Sequence, residues 1–144
     1  MEKKIWFDMD GTFANLYAVE NWLPMLESHN PAPYTKAEPM LNMSAFARLL
    51  HKAQRLGYEI GVISWLSKNS NRDYDMAVTN AKLEWLATHL PSVEWNKIHI
   101  VAYGTPKHEL GKGVLFDDEK HNRDMWGNGA YEPCEILEFL RGLM

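Results

Sequence analysis

Four aspartates are the residues of this chain whose types and spacing best suit chemistry. Asp8 and Asp10 stand two positions apart just before Gly11, and Asp117 and Asp118 are adjacent. Four carboxylates brought together repel one another strongly unless a cation or a proton lies between them. An all-oxygen set without His or Cys favours a hard divalent ion, and Mg²⁺ is the usual choice where a phosphate is also bound. The pattern therefore predicts Mg²⁺ as the cofactor, held by Asp8, Asp10, Asp117 and Asp118.

A lysine and a serine supply the two kinds of group that hold phosphate oxygens. Lys107 offers a fixed positive charge, and Ser64 offers a neutral hydroxyl donor. Lys112 competes for the same role, but it lies between two glycines at the entry to a strand, so we favour Lys107. Together with the aspartates, these residues predict phosphoryl chemistry.

Short apolar runs precede most of these polar residues and predict the strands that position them. Strands are predicted over residues 5–7, 58–65, 97–103 and 113–116, with a short fifth strand at 130–131. Helices are predicted over residues 40–56 and 73–90 and from residue 133 onward. This alternation predicts an α/β fold, a Rossmann-like three-layer α/β/α sandwich around a mostly parallel sheet. Ligands of such folds bind beyond the carboxyl ends of the strands, where the aspartates and Ser64 stand.

Residues 13–39 do not fit this alternation and are predicted as an insertion with no helix of its own. Four prolines interrupt the segment, and its aromatic residues follow no period: Phe13, Tyr17, Trp22 and Tyr34. The Trp and Tyr rings of this segment either stack on a nucleobase or serve only for packing, and we favour substrate contact.

Composition and charge limit the class of protein and its partners. A chain of 144 residues, of which 46% are hydrophobic and 24% charged, fits one globular domain over residues 1–144. The formal net charge of -4 has the wrong sign for binding long nucleic acids, although it is compatible with a small phosphorylated substrate. Cys134 is the single cysteine and cannot form an internal disulfide. The N-terminal apolar run is too short for a signal peptide or a membrane span, so we expect a cytoplasmic protein without a membrane partner.

The acidic motifs also carry a family resemblance. The segment DMDGT at residues 8–12, after an apolar strand, resembles the first motif (DxDGT) of the haloacid dehalogenase superfamily. Ser64 at the end of GVIS matches the second motif, Lys107 in YGTPK the third, and the aspartate pair in VLFDD the fourth. The resemblance spans nearly the whole chain. Within the superfamily, the sequence is most similar to the 5'(3')-deoxyribonucleotidase-like branch and to small bacterial or phage relatives.

This resemblance implies a role for each motif residue. Asp8 is expected to be the nucleophile that forms an aspartyl-phosphate, and Asp10 the general acid that protonates the leaving group. The metal is expected on the Asp8 carboxylate, the backbone carbonyl of Asp10 and the fourth motif. Lys107 is expected to act in catalysis as well as in binding. The residues expected to bind the substrate are Gly11, Thr12, Ser64, Trp65 and Lys107. Residues 13–39 correspond to a short cap over the site.

The fourth motif leaves two alternatives open. Adjacent strand residues point to opposite faces, so one of Asp117 and Asp118 is expected to bind the metal directly and the other to support it, with Asp118 favoured. The next residues, Asn122, Arg123 and Trp126, either orient the acidic pair or only begin and pack a helix.

The leading hypothesis is a Mg²⁺-dependent phosphomonoester hydrolase for a small phosphorylated metabolite, with a nucleoside monophosphate as the favoured substrate. One alternative is a polynucleotide 3'-phosphatase, because a short cap leaves room for a strand end. The other is a non-catalytic phosphate- or metal-binding module on the same fold, which has no need of Asp10. A homodimer in which a neighbouring subunit covers the site is compatible with the short cap.

Overall fold

The computed structural model describes residues 2–144, so the first residue of the predicted domain lies outside it. Within that range the chain forms the strands β1 (Lys4–Phe7), β2 (Ala14–Asn15), β3 (Glu38–Pro39), β4 (Glu59–Trp65), β5 (Lys97–Val101), β6 (Val114–Phe116) and β7 (Ala130–Tyr131). The α-helices are α1 (Trp22–Glu27), α2 (Ala32–Lys36), α3 (Met43–Arg55), α4 (Arg72–His89), α5 (Lys120–Trp126) and α6 (Ile136–Arg141). Every predicted strand and helix is present, with ends that differ by a few residues. No helix of the described range is long and apolar enough to cross a membrane.

Five of the strands form one parallel sheet in the order β5-β4-β1-β6-β7. In its register, Phe7 of β1 lies beside Val62 of β4 and Phe116 of β6. Because parallel strands all end at the same edge, the residues that follow β1, β4 and β6 are neighbours in space. The predicted α/β fold with a mostly parallel sheet is confirmed.

One face of the sheet packs against α3, α4 and α6 through an aromatic-rich core. Phe7 stacks on Phe116, with 5.4 Å between the ring centroids, and meets Phe46 of α3 edge-on at 5.3 Å. Trp85 of α4 and Leu140 of α6 are buried in the same core. Burial stabilises the fold by about 1.5–3 kcal/mol for each large apolar side chain. This packing holds the ends of β1 and β6 side by side.

The opposite face of the sheet is covered by α5 and by the segment that leads into β6. Trp6 lies on this face, and its Nε1 donates to the Lys112 carbonyl at 3.0 Å. A Cβ on Gly61 would overlap the Trp6 ring, so this close approach requires glycine. Trp126 of α5 donates from Nε1 to the Gly113 carbonyl at 2.9 Å, which gives this residue a packing role. Helices therefore lie on both faces, as the three-layer prediction requires.

The prediction that residues 13–39 contain no helix is wrong. Both α1 and α2 lie in this segment, and β2 pairs antiparallel with β3 through Ala14 and Pro39. Pro24 and Pro33 fall in the first turn of their helices, where the missing N–H of a proline breaks no helical hydrogen bond. The paired strands bring the two ends of the insertion together, so it leaves and rejoins the core at one place.

Helix α4 is the part of the core on which the insertion rests. Asn71 caps this helix, and its side chain accepts from the Tyr74 N–H at 2.8 Å. Tyr34 of α2 is buried, and its hydroxyl hydrogen-bonds to the Ser67 hydroxyl just before α4. The insertion is thus fastened to the same helix that follows β4.

Candidate active site

The carboxyl ends of β1 and β6 bring aspartates together around one lysine. Lys107 lies in a 3₁₀ turn between β5 and β6, and its Nζ is 2.9 Å from Asp8 Oδ1 and 2.8 Å from Asp117 Oδ2. Carboxylate oxygens of Asp8, Asp117 and Asp118 lie within 4.8 Å of one another. Residues that are far apart in the chain therefore form a single cluster.

The turn after β1 holds Asp8 and shapes the space beside it. Thr12 Oγ1 donates to Asp8 Oδ2 at 3.1 Å, and Thr12 is 1% exposed. Gly11 has a φ of 79°, and a Cβ there would overlap the Asp118 carboxylate. Both residues thus support the aspartates, and direct binding of substrate by either of them stays a prediction.

Asp117 is fully buried, and both of its carboxylate oxygens have donors. Oδ2 accepts from Lys107 Nζ at 2.8 Å and from Asn122 Nδ2 at 3.2 Å. Oδ1 accepts from the Glu119 N–H at 2.9 Å. Arg123 Nη1 donates to the Asp117 carbonyl at 2.9 Å. Asn122 and Arg123 therefore orient the acidic pair, which decides one of the two alternatives that the sequence left open.

The charges of the cluster do not balance. Burial, a hydrogen bond with Asp8 and repulsion by Asp8 and Asp117 raise the pKa of Asp118 to about 8. Burial lowers the pKa of Lys107, but Asp8 and Asp117 outweigh it and raise that pKa, so the ammonium stays charged. One ammonium therefore faces three carboxylates. A largely buried set of oxygen ligands with excess negative charge fits a hard divalent cation.

A second buried lysine, Lys82 of α4, lies beside Asp10 and was not predicted. Its Nζ donates to Asp10 Oδ2 at 3.0 Å, to Ser64 Oγ at 2.6 Å and to the Trp65 carbonyl at 2.6 Å. These acceptors satisfy the three N–H groups of a side chain that is 1% exposed. Burial raises the pKa of Asp10, Lys82 lowers it and Asp8 raises it, and the net direction is upward.

The position of Lys82 within α4 was the signal available in the sequence. Tyr74, Val78 and Trp85 mark the buried side of this helix, and Lys82 lies on the same side, one turn after Val78. A lysine is almost never buried unless an anion pairs with it. Helical spacing therefore indicates a buried carboxylate near α4, although it does not indicate which one.

The two predicted substrate-binding residues at the end of β4 lie in different surroundings. Ser64 is 0% exposed, and its hydroxyl accepts from Lys82. Trp65 lines a cavity, with its Nε1 donating to the Thr105 carbonyl at 2.8 Å and its ring 5.3 Å from Lys107 Nζ. Ser64 is thus packed against Lys82, whereas Trp65 forms part of the cavity wall.

The cavity has a volume of about 590 Å³, and Asp8, Asp10 and Lys107 are among the residues that line it. Small-molecule sites commonly have volumes of roughly 300–1,000 Å³. The cavity therefore has room for a phosphorylated metabolite whose phosphate lies against the aspartates.

Aromatic rings from the insertion and from the core form much of the cavity wall. Tyr17 and Trp22 come from the insertion, with ring centroids 4.9 Å apart, and Trp65 and Tyr103 come from the core, 5.0 Å apart. Tyr17 is 46% exposed and Tyr103 is 51% exposed, so these rings are accessible to a flat ligand. Phe13, in contrast, is fully buried in the main core and serves packing.

A parallel α/β sandwich with aspartates at the ends of two adjacent central strands is the fold that the haloacid dehalogenase resemblance predicts. Among solved structures, the chain is similar to the D,D-heptose 1,7-bisphosphate phosphatase from Burkholderia thailandensis. The TM-score is 0.57 and the sequence identity 13%, over 96% of this chain and 99% of that chain. This likeness shows the fold. A scan against protein-family models finds no match, and no curated protein matches.

Proposed function

We propose that this protein is a Mg²⁺-dependent phosphomonoester hydrolase that forms an aspartyl-phosphate on Asp8. The proposal rests on one observation, the meeting of Asp8, Asp10 and Lys107 at one cavity of about 590 Å³, with the Asp118 carboxylate close to that of Asp8. A carboxylate nucleophile, a second carboxylate and a buried ammonium are groups that phosphoryl transfer needs. The similar fold of a D,D-heptose 1,7-bisphosphate phosphatase supports the same class of reaction.

The first half of the reaction forms the covalent intermediate. An Asp8 oxygen bonds to the substrate phosphorus while the ester P–O bond breaks. Asp10 gives its proton to the departing alkoxide oxygen, and burial raises the pKa of Asp10, which favours the protonated form that a general acid needs. The Lys107 ammonium, 2.9 Å from Asp8, reduces the repulsion between the nucleophile and the anionic phosphate.

The second half of the reaction releases inorganic phosphate. Asp10, now a carboxylate, takes a proton from a water molecule whose oxygen attacks the phosphorus. The bond between Asp8 and phosphorus breaks, and the Asp8 carboxylate is restored. Thr12 and Lys107 each contact one Asp8 oxygen, so they keep the carboxylate oriented through both steps.

The groups that we propose to hold Mg²⁺ are the Asp8 and Asp118 carboxylates and the backbone carbonyl of Asp10. Bound Mg²⁺ supplies positive charge that stabilises the transferring phosphate. Asp118 is favoured over Asp117 as the direct ligand, because Asp117 is fully buried and its carboxylate already accepts from three protein donors. Asp117 then keeps Lys107 in place.

We propose a nucleoside monophosphate as the substrate, in line with the nucleotidase-like branch that the sequence resembles. The support is the aromatic wall formed by Tyr17, Trp22, Trp65 and Tyr103, against which a flat base can stack. In this arrangement residues 13–39 act as a short cap that carries two of the rings.

A phosphatase screen tests the proposal. Nucleoside monophosphates, sugar phosphates and a 3'-phosphorylated oligonucleotide are offered with Mg²⁺, and released phosphate is measured. We expect the highest kcat/KM with a nucleoside monophosphate, and loss of activity on chelation. Asp8→Asn should reduce kcat by about 10³-fold or more, because it removes the nucleophile.

The matched control is Asp124→Asn, an exposed aspartate of α5 paired with Lys120, which should keep wild-type activity. Full activity in Asp8→Asn would refute the nucleophile assignment. Faster turnover of the oligonucleotide would favour a polynucleotide 3'-phosphatase. Mg²⁺ binding without turnover of any ester, and without trapping of beryllofluoride at Asp8, would indicate a non-catalytic phosphate- or metal-binding module.

A further inference from the structure

We infer that Lys82 positions Asp10 for proton transfer, and that Ser64 anchors Lys82 instead of contacting the substrate. This inference rests on the proposed function, in which Asp10 is the general acid. The two buried lysines serve different aspartates, since Lys107 contacts the nucleophile Asp8 and Lys82 contacts Asp10. Lys82 is therefore a positioning residue of the site.

The hydrogen bonds of Lys82 leave its ammonium group no freedom to turn. The Nζ lies 3.0 Å from Asp10 Oδ2, 2.6 Å from Ser64 Oγ and 2.6 Å from the Trp65 carbonyl, which uses each of its N–H groups once. Ser64 and Trp65 belong to β4, which pairs with β1 in the centre of the sheet. Lys82 thus ties the Asp10 side chain to a strand that packing holds rigid.

The hydrogen bond from Lys82 to Asp10 also determines which carboxylate oxygen of Asp10 can transfer a proton. Lys82 engages Oδ2, and Asp10 lines the cavity with 15% of its side chain exposed. Oδ1 is therefore the oxygen left to carry a proton toward the leaving group. A general acid must lie within about 2.6–3.2 Å of the atom that it protonates. Without Lys82, the Asp10 side chain is free to rotate out of that range.

The burial of Ser64 indicates that its hydroxyl holds Lys82 and does not bind the phosphate. A hydroxyl that binds phosphate must face the cavity, but Ser64 is 0% exposed and its Oγ faces Lys82. The ring of Tyr34 lies 5.0 Å from Lys82 Nζ and attracts the cation from another side. The ammonium is thus enclosed by groups that hold it toward Asp10.

The dependence on the leaving group distinguishes positioning from a merely structural role. p-Nitrophenyl phosphate releases a phenolate that departs without a proton, whereas benzyl phosphate, which is similar in size, releases an alkoxide that needs one. Because kcat/KM covers only the steps up to departure of the leaving group, hydrolysis of the intermediate does not enter it. We expect Lys82→Met to reduce kcat/KM about 10²-fold for benzyl phosphate and less than about 3-fold for p-nitrophenyl phosphate. Equal losses with both esters would overturn the inference.

Ser64→Ala tests the anchor separately. We expect its kcat/KM to fall by about 2- to 10-fold with benzyl phosphate, the size of one lost hydrogen bond, and to stay unchanged with p-nitrophenyl phosphate. If Ser64 bound the phosphate, Ser64→Ala would instead lower kcat/KM equally for both esters. Equal losses would therefore overturn the assignment of Ser64 as an anchor.

Lys52→Met, which removes a partly exposed lysine of α3 that donates to the Arg141 carbonyl and lines no part of the site, is the matched control and should leave both values unchanged. If a thermal melt shows that Lys82→Met is unfolded, the double variant Asp10→Asn/Lys82→Met replaces it. The double variant removes both members of the buried ion pair and so leaves no unpaired charge. Its kcat/KM for benzyl phosphate should lie within about twofold of that of Asp10→Asn, and any larger further loss would overturn the inference. A wild-type protein inactive on both esters would refute the proposed function itself, whereas an active wild type with equal losses in Lys82→Met refutes only the role of Lys82.

Discussion

Asp117 and Asp118 are adjacent, yet only Asp117 has an ammonium as a partner. Asp117 is 0% exposed and lies 2.8 Å from the Lys107 ammonium. Asp118 has no ammonium within ion-pair distance among residues 2–144, and burial with the neighbouring Asp8 and Asp117 raises its pKa. Burial and Asp8 raise the pKa of Asp117 to about 6, so Lys107 offsets only part of the cost of its charge, whereas Asp118 has no such partner among the described residues.

Substitution of each aspartate by asparagine should therefore move the stability of the metal-free protein in opposite directions. Asp117→Asn should lower the free energy of unfolding by about 3 kcal/mol, because Lys107 loses one of its two buried anions. Asp118→Asn should raise Tm, because it removes a carboxylate whose ionised form the fold disfavours. Thermal melts in EDTA at pH 8 measure both, with Asp124→Asn as the control, which loses only an exposed ion pair with Lys120 and should change Tm little. A lower Tm in Asp118→Asn would contradict the unbalanced charge of the cluster.

At the scale of elements, the insertion depends on α4 for its shape. Helices as short as α1 and α2 are not stable alone in water. Polar contacts join them to the segment before α4: the His29 ring lies 3.1 Å from the Asn69 carbonyl and 3.1 Å from the Asn71 side chain. The Tyr34 hydroxyl bonds to Ser67 in the same segment. These contacts place the rings of α1 and the turn before it at the cavity.

Trp22→Ala tests whether the insertion recognises a flat leaving group. Base–aromatic stacking contributes about 1–3 kcal/mol per base, so kcat/KM for the preferred nucleoside monophosphate should fall by at least about 5-fold. Turnover of glycerol phosphate, which has no ring to stack, should change less than about twofold. Steady-state kinetics with both substrates, beside a thermal melt, provide the measurement. Equal losses with both substrates would mean that Trp22 serves only to hold the insertion in place.

At the scale of the whole molecule, negative charge is concentrated at the sheet edge that carries the site. The chain has a formal net charge of -4, and at the site four aspartates face two buried lysines. Such an edge repels a phosphate until a cation is bound. In the proposed function Mg²⁺ and protons compete for the same carboxylates, so we expect metal binding, pH and stability to be linked.

This linkage has a definite sign. The pKa of Asp118 is raised in the fold to about 8 from an ordinary 3.8, so the folded state binds the proton more tightly than the unfolded state. Its destabilising effect is fully present above about pH 8 and is lost as the pH falls toward its ordinary pKa. The Tm difference between Asp118→Asn and wild type in EDTA should therefore shrink between pH 8 and pH 5.

Mg²⁺ should stabilise the protein more at pH 8 than at pH 5, because fewer protons compete for the carboxylates. At a Mg²⁺ concentration about 100-fold above Kd, binding adds about 2.7 kcal/mol to the free energy of unfolding. Melts with and without Mg²⁺ at the two pH values measure the effect. Asp118→Asn should abolish most of the shift, and an undiminished shift in that variant would contradict Asp118 as a ligand.

Local patterns in the sequence were sufficient to predict the sheet and its acidic edge. Apolar runs end at Asp8 and Asp117, and parallel strands bring their carboxyl ends together without further information. The lysine in the YGTPK segment was likewise placed correctly beside these aspartates, since Lys107 bonds to both. These signals succeed because strand periodicity and motif order are properties of neighbouring residues.

The partners of buried groups, in contrast, were decided by the tertiary structure. Lys82 meets Asp10 across 72 positions of the chain, and no local pattern specifies which carboxylate a buried lysine will find. The helices of the insertion form because they pack against the segment around α4. They were not predicted from the sequence because prolines, which usually interrupt helices, lie in their first turns. The different surroundings of the Asp117 and Asp118 carboxylates also depend on hydrogen-bond donors that packing brings to Asp117. Sequence alone thus indicated the four aspartates and Lys107, whereas only the packed structure added Lys82 and determined which groups hold one another, because hydrogen bonds and burial are set by contacts between distant segments.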